Sequence, residues 1–245
     1  MSANDLALYD RHAADWWDTE SRAFRSLHSV NRFRVARLVA ALRARSVSLR
    51  GALVLDLGCG GGIVAGLLGA VGARVVGVDR SRASLAAARH GCRPPPPGSL
   101  LGAVQGDVAA APLREGAADL VVLSDVLEHV AEPSRVIAAA ARLVRPGGYL
   151  YTSTLNRTLR ARVLAVEVAE RLGLVPRGTH DARLFLRPAE VEAAGRAAGL
   201  DLISHYGEGV ALAATVRRWR VVARPSRSLA VAYQSLFVRP EGAPS

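Results

Sequence analysis

The sequence contains no lysine: all 32 basic residues among its 245 residues are arginine. An absence this complete is typical of a coding bias that runs through a genome, so the formal net charge of +11 is weak support for one particular partner. The charge still favours acidic partners in general, such as anionic lipid, nucleic acid or an acidic protein. Aromatic residues make up only 5% of the chain, which weighs against a surface that stacks on single-stranded nucleic acid.

Cysteines and long apolar runs are also scarce. The two cysteines, Cys59 and Cys92, have no spacing typical of a metal site or a disulfide framework, which predicts a reducing, cytoplasmic setting. The first residues, "MSANDLALYD", do not place an apolar run after a basic region, as a secretion signal does. No run approaches the roughly 18 apolar residues of a membrane span. We therefore expect a cytoplasmic protein that at most lies peripherally on the inner face of the cell membrane.

Strand-like and helix-like segments alternate from residue 52 onward. The apolar runs "ALVLDL" and "RVVGVD" predict buried strands, and each is followed by a helical segment that ends at glycine. This alternation predicts an α/β fold with a doubly wound, mostly parallel seven-stranded sheet of the Rossmann-like type, with N-terminal helices and a helical insertion after strand five. We expect one domain over residues 1–245, in four parts: a helical cap (1–50), a cofactor-binding core (51–156), an insertion (157–190), and a C-terminal helix with strands (191–245).

The stretch "VLDLGCGGG" (54–62) places a glycine-rich turn directly after the first predicted strand. Two known motifs fit this turn. Residues 60–65 match the looser dinucleotide pattern G-x-G-x-x-A, and Asp79 lies where a ribose-binding acid belongs. The alternative is D-x-G-x-G-x-G, formed by Asp56, Gly58, Gly60 and Gly62, which resembles the turn of S-adenosylmethionine-dependent methyltransferases.

The acids around this turn favour the second motif. The pyrophosphate of a dinucleotide needs backbone N–H groups and no carboxylate nearby, whereas S-adenosylmethionine carries a sulfonium and an ammonium group. Asp79, at the end of the second strand, is suited to the ribose hydroxyls, and Asp107, after the third strand, to the adenine amino group. The simpler alternative is that these acids only cap turns. Because three acids follow three successive strands, we predict S-adenosylmethionine as the cofactor.

The segment "DVLEHV" (125–130) follows the fourth predicted strand, where an acceptor is expected to bind. If the segment is helical, Asp125 shares a face with both Glu128 and His129. The three side chains are then candidate ligands of a divalent cation, Mg²⁺ or Zn²⁺, and His129 alone is a candidate catalytic base. The simpler alternative is a helix N-terminus whose acids suit the dipole. An Asn/Asp-Pro-Pro-aromatic tetrapeptide is missing, which argues against methylation of a nucleobase.

Several stretches carry a closer likeness, in order over roughly residues 9 to 200. They are "ADWWDTESRAFRSLHSVNRFR" (14–34), "VLDLGCGGGI" (54–63), "DVLEHV" (125–130), "STLNRT" (153–158) and "VPRGTHDARLFLRPAE" (175–190). Together they resemble the ubiquinone-biosynthesis O-methyltransferases, a class I family that methylates polyprenyl phenols and catechols. The last two stretches are unusual among methyltransferases in general, so they are the most specific part of the resemblance.

The resemblance implies that Arg34, Gly58, Asp79 and Ser124 contact S-adenosylmethionine, and a guanidinium suits the carboxylate of that donor. It also implies a small phenolic acceptor, with other quinone-biosynthesis enzymes as partners. The C-terminal segment departs from the family pattern, because the Asn-Pro that ordinarily follows Tyr206 is missing. The exact acceptor therefore stays open, and a phenol or sugar of secondary metabolism is an alternative.

An RNA-modifying enzyme is the alternative from another class. The charge of +11 and the stretch "RRWRVVARPSR" (217–227) favour it. The arginines are nevertheless spread along the whole chain, and an exposed edge strand explains this stretch more simply. We therefore expect no nucleic-acid partner.

Residues 159–175 predict a helix with one apolar face. Arginines at positions 160, 162, 171 and 177 flank that face and suit an anionic membrane surface, on which a polyprenyl substrate resides. The simpler alternative is a helix that packs its apolar face on the sheet. The residues at helical spacing on this face are Ala161, Leu164, Ala165, Val168, Leu172 and Val175.

Overall fold

The computed structural model describes residues 9–91 and 100–242, so Cys92 and the proline-rich stretch after it lie outside the described residues. The strands are β1 (Leu53–Leu57), β2 (Arg74–Asp79), β3 (Leu100–Gln105), β4 (Ala118–Ser124), β5 (Val144–Leu155), β6 (Asp201–Val210), β7 (Ala223–Ser226) and β8 (Ala232–Val238). The main helices are α1 (Arg25–Arg43), α2 (Ile63–Ala70), α3 (Arg82–Gly91), α4 (Pro133–Leu143), α5 (Pro188–Ala197) and α6 (Leu212–Arg218).

The strands form one sheet in the order β3-β2-β1-β4-β5-β8-β6-β7. The first five pair in parallel, and β1 lies between β2 and β4, so the direction of the chain across the sheet reverses at β1 and β4. In doubly wound sheets, ligands bind outside the carboxyl ends of the strands at such a reversal. The predicted doubly wound, mostly parallel sheet is confirmed.

The other edge of the sheet is antiparallel and has one strand more than predicted. β8 pairs antiparallel with both β5 and β6, and β7 pairs antiparallel with β6. The prediction of seven strands is wrong because part of the arginine-rich stretch forms β7 at the edge. Pro225 in β7 lacks a backbone N–H, which an edge strand tolerates.

Helices pack on both faces of the sheet, and their apolar spacing explains which side of each is buried. Ile137, Ala140 and Ala141 of α4 follow the i, i+3, i+4 pattern and pack with Leu57 and Val78 in one core cluster. A second cluster contains side chains of α1, α2 and β1. These two layers hold the carboxyl ends of the parallel strands in a fixed arrangement.

The N-terminal segment is not one continuous helix. The sequence predicts a helix from residue 5 to about 45, of which residues 5–8 lie outside the described residues. Residues 9–11 are helical, a short 3₁₀ turn spans Ala13–Asp15, and α1 begins at Arg25. The indole of Trp16, between the turn and α1, stacks on the ring of Phe24 with centroids 4.0 Å apart and lies against the glycine-rich turn.

The insertion also differs from the regular helix predicted over residues 159–175. A helical turn at Leu159–Ala161 continues as a π-helix over Arg162–Val168, followed by turns. A π-helix has a longer repeat than 3.6 residues, so the predicted apolar face is not kept in register. Ala161 is buried, whereas Val168 and Leu172 are exposed. Within residues 9–91 and 100–242, no helix has the length and apolar character needed to cross a membrane.

Candidate active site

A cavity of about 300 Å³ lies at the carboxyl ends of the parallel strands. Five of the six residues predicted to bind the methyl donor line it, and Asp125 and His129 line it as well. The five come from the ends of β1, β2, β3 and β4 or the loops that follow, where the strand order reverses. They are Gly58, Gly60, Asp79, Asp107 and Ser124.

The glycine-rich turn is shaped by a close approach of Trp16. A Cβ atom on Gly61 would lie 2.2 Å from Cγ of Trp16, and one on Gly60 would lie 2.6 Å from Cη2. Gly60 also has a φ of 50°, a left-handed conformation that side chains other than glycine rarely adopt. The glycines therefore allow the indole to lie against the turn. Trp16 is buried in a small aromatic cluster and also lines this cavity.

Asp79 and Asp107 cap turns and line the cavity at the same time. Asp79 accepts hydrogen bonds from the backbone N–H groups of Gly60 and Ser81, both at 2.8 Å. Asp107 accepts one from the backbone N–H of Ala109 at 2.9 Å. An ionised carboxylate has about four lone-pair sites, so each acid keeps acceptor capacity for a ligand. The capping alternative and the ligand-binding prediction are thus compatible.

Asp56 lies buried between the turn and the cavity, with only 1% of its surface exposed. Its Oδ2 atom has no hydrogen-bond partner among the described residues. Burial, and to a smaller extent the neighbouring Asp79, raise the pKa of Asp56 to about 7. Burial likewise raises the pKa of Asp79. Two negative charges, on Asp56 and Asp79, are therefore unfavourable in this cavity unless a positive charge compensates them.

A second cavity, of about 160 Å³, adjoins the first, and Tyr9, Leu27, Asp125 and His129 line both. Most of its lining is apolar and comes from α1, the end of β5, the insertion and the C-terminal strands. The C-terminal segment, which departs from the family pattern, contributes to this lining. The lining apolar residues of the insertion and C-terminal segment are Leu164, Ala165, Ala169, Val175, Pro176, Val210, Val221, Ala223, Val231 and Ala232.

Arg34 lines the second cavity rather than the first. Its guanidinium donates to both carboxylate oxygens of Glu208, from Nε at 2.8 Å and Nη2 at 3.1 Å, and to Oδ2 of Asp125. Arg34 is therefore buried as the shared partner of two acids of the same chain, which satisfies its charge. Its contact with the donor carboxylate stays a prediction from the resemblance.

The predicted metal ligands are not arranged on one helical face. Asp125 has a φ of 54°, and the 3₁₀ turn Leu127–His129 starts only after it. Glu128 instead accepts a hydrogen bond from the hydroxyl of Thr154 at 2.8 Å. Burial, and then Asp125, raise the pKa of Glu128 to about 8, which favours its neutral form. No group of three His, Cys, Asp or Glu side chains within the described residues could hold a metal ion.

Two side chains of the second cavity were not predicted from the sequence as site residues. Glu208 lies in a strand where a lone acid gives no signal, and it becomes notable only because Arg34, 174 positions earlier, lies beside it. His180 lies in the stretch 175–190 that carries the family resemblance, so the resemblance could have singled it out. Both residues line the second cavity.

Comparisons with known proteins agree with this architecture. A family model described as a methyltransferase domain matches residues 55–152. Magnesium protoporphyrin IX methyltransferase from Synechocystis, solved with bound SAH, superposes with a TM-score of 0.65 at 23% identity, over 95% of this chain and 94% of that chain. The fold and the matched domain define a class I S-adenosylmethionine-dependent methyltransferase.

Relatives narrow the class further. The ubiquinone biosynthesis O-methyltransferase of Methylococcus capsulatus is 38% identical over 209 residues, which cover 84% of each chain. That of Thiobacillus denitrificans is 42% identical over 209 residues, which cover 82% of this chain and 84% of the relative. The chain belongs to the ubiquinone biosynthesis O-methyltransferase family, as the sequence motifs predict.

Proposed function

We propose that this protein transfers the methyl group of S-adenosylmethionine to a phenol or catechol hydroxyl of a polyprenyl precursor of ubiquinone. The observation that carries the proposal is the junction of two unlike cavities at Asp125 and His129. One cavity is lined by acids and a glycine-rich turn, and the other is mostly apolar. A methyl transfer needs two substrates side by side, and this arrangement provides a place for each.

The donor is assigned to the cavity at the strand ends. Asp79 has acceptor capacity for the ribose hydroxyls, Asp107 for the adenine amino group, and Gly58 and Gly60 give backbone access. The unpartnered oxygen of Asp56 and the mutual repulsion of the acids suit a ligand that carries positive charge. When bound, the donor supplies a methyl group on an electrophilic sulfonium.

His129 is assigned as the base that accepts the acceptor's proton. A phenol has a pKa near 10, close to that of tyrosine, so it is a poor nucleophile at neutral pH. A ring nitrogen of His129 at the junction of the cavities is suited to remove that proton as the oxygen attacks. The geometry of Asp125 and Glu128 does not fit a shared cation, so no step of this proposal depends on Mg²⁺ or Zn²⁺.

A membrane surface is proposed as the place where the polyprenyl acceptor is met. The insertion lines the acceptor cavity from inside through Leu164 and Ala165. On its outer side, Leu159 is 75% exposed and Val163 is also exposed, with Arg160 and Arg162 beside them. Apolar side chains next to arginines suit the boundary between anionic headgroups and acyl chains. The protein is then peripheral, on the cytoplasmic face of the membrane.

A labelled-methyl transfer assay tests the function directly. The panel contains short-chain demethylated quinols, simple catechols, flavonoids and sugars, each with saturating S-adenosylmethionine. We expect methylation of the quinols and catechols. Transfer only to flavonoids or sugars would instead assign the protein to secondary metabolism, and transfer to none of them would overturn the proposal.

A further inference from the structure

Glu170 and His180 lie together in a small unit of contacts within the insertion. The carboxylate of Glu170 accepts hydrogen bonds from the backbone N–H groups of Gly178 at 2.8 Å and His180 at 3.0 Å. Its Oε1 atom also lies 3.4 Å from Nδ1 of His180. The loop after Glu170 is thus folded back on this acid, and the imidazole of His180 lies beside the carboxylate, although its buried Nδ1 atom has no hydrogen-bond partner among the described residues.

Glu170 is suited to orient His180 because its carboxylate stays ionised. Burial opposes its charge, but the ring of His180 and the two backbone N–H groups outweigh burial and hold the pKa of Glu170 below its ordinary value. An ionised carboxylate 3.4 Å from Nδ1 of His180 attracts an N–H group at that ring nitrogen and so favours this orientation of the ring. Glu170 therefore biases the orientation of His180 in a segment that has little regular structure.

The ring of His180 faces the ring of His129. Their centroids are 6.3 Å apart and their planes differ by 30°. The edge of Phe185 packs against His180 from another side, with centroids 6.3 Å apart. Both histidines line the apolar cavity, so the residue assigned as the base has a second imidazole opposite it.

Several other polar side chains around this cavity, including His12 beside Asp15, have partners within the protein. Arg34, Asp125 and Glu208 pair with one another. The hydroxyl of Ser26 donates to the carbonyl of Leu174 at 2.6 Å, and that of Thr179 donates to the carbonyl of Pro176 at 2.7 Å. The position of His180, opposite His129, therefore makes it the natural group to meet a second oxygen on an acceptor ring.

We propose that His180, oriented by Glu170, hydrogen-bonds the ring oxygen next to the one that receives the methyl group, and so selects acceptors with two neighbouring oxygens. This inference rests on the proposed function. Oxygens on adjacent ring carbons lie close together, so two imidazoles that face each other are each able to reach one of them. His180 then sets the orientation of the acceptor, while His129 accepts the proton.

The test compares methyl transfer to a 4-alkylcatechol and to the matching 4-alkylphenol. For the wild-type protein we expect the catechol to be preferred. His180→Phe keeps an aromatic ring but loses the hydrogen bond, and we expect kcat/KM for the catechol to fall by about tenfold or more, mainly through KM. His180→Gln keeps a hydrogen-bonding group without a ring, so it should retain the preference.

Loss of the preference in His180→Phe together with its retention in His180→Gln supports the inference, and any other pattern contradicts it. If His180→Phe keeps the catechol preference and His180→Gln loses it, the ring of His180 acts by stacking instead of by hydrogen bonding. Calorimetry with S-adenosylmethionine shows that each variant is folded, and His180→Leu replaces His180→Phe if the latter does not fold. A wild-type protein inactive with both substrates overturns the proposed function rather than this inference.

A second pair of variants tests the role of Glu170. Glu170→Gln removes the charge beside His180, and we expect a smaller loss of the catechol preference. Glu167→Gln is the matched control, because Glu167 pairs with Arg171 on the surface of the same segment at 2.9 Å. An equal effect of both variants, or no effect of Glu170→Gln, would overturn the positioning of His180 by Glu170.

Discussion

The donor side and the acceptor side of this site are built in different ways. The donor cavity takes its acids and glycines from the ends of successive strands of one parallel sheet. Residues that follow successive strands in the sequence therefore lie close together in space. The acceptor cavity takes its lining from α1, the insertion and the C-terminal strands, and its central ion pair joins residues 174 positions apart. The lining of the donor cavity is encoded by local sequence patterns, whereas the lining of the acceptor cavity depends on how distant segments pack.

Their electrostatics also differ. On the donor side, burial and then the neighbouring Asp79 raise the pKa of Asp56. The acids of the acceptor side, Asp125 and Glu208, share the guanidinium of Arg34. Buried charges are stable only when they are paired, so the donor side depends on its ligand for compensation while the acceptor side is compensated by the protein. Variants on the two sides should therefore fail in different ways.

The largest effect is expected for Asp79→Ala. Hydrogen bonds to a charged acceptor contribute about 1.5–3 kcal/mol each, so the loss of two ribose contacts should weaken S-adenosylmethionine binding by at least about a hundredfold. Asp119→Ala is the control, because Asp119 also accepts a backbone N–H, from Leu53 at 2.7 Å, but lies at the opposite end of β4. Calorimetry measures both affinities, and equal donor affinity in the two variants would contradict the assignment of this cavity to the donor.

His129→Ala should separate chemistry from binding. Removal of a general base typically costs about a hundred- to ten-thousandfold in rate, so kcat should fall far more than donor affinity. His205→Ala is the control, since His205 is a partly buried histidine that bonds Ser235 at 2.9 Å and lines neither cavity. A parallel loss of turnover and donor affinity would make His129 structural. Strict dependence of the wild-type protein on Mg²⁺ or Zn²⁺ would favour cation chemistry instead.

Asp56→Asn should change how stability depends on pH. The pKa of Asp56 is raised to about 7 in the folded protein, so its contribution to stability is complete below its unfolded pKa of about 4 and is lost as pH rises towards 7. Each pH unit in that window costs about 1.4 kcal/mol, so the wild-type protein should lose about 2 kcal/mol more than Asp56→Asn between pH 5 and pH 7. Urea unfolding without the donor measures this difference, and parallel curves would refute the pKa shift.

The sequence predicted that the candidate donor-binding residues lie together because its signals are local; that they bind the donor stays a prediction. A strand followed by glycines, with acids after successive strands, needs only short-range order to place Gly60, Asp79 and Asp107 at one edge of the sheet. The acceptor side was predicted less completely, because helical spacing cannot reveal the left-handed conformation of Asp125 or the π-helix at 162–168. The pairing of Arg34 with Glu208 depends on the packing of β6 against α1, which no local pattern encodes.

The smallest effect is expected on the outer surface of the acceptor side. Arg160→Gln removes one exposed positive charge beside Leu159, and one basic residue near an anionic membrane contributes about 1 kcal/mol, so binding to phosphatidylglycerol vesicles should weaken about fivefold. Arg82→Gln is the matched control, because Arg82 is an exposed arginine at the start of α3. Flotation should show binding of the wild-type protein that weakens as salt is raised, since salt screens exposed charges. Equal losses in both variants would indicate a diffuse attraction due to net charge, and no flotation at low salt would mean that the acceptor is met in solution rather than on the membrane.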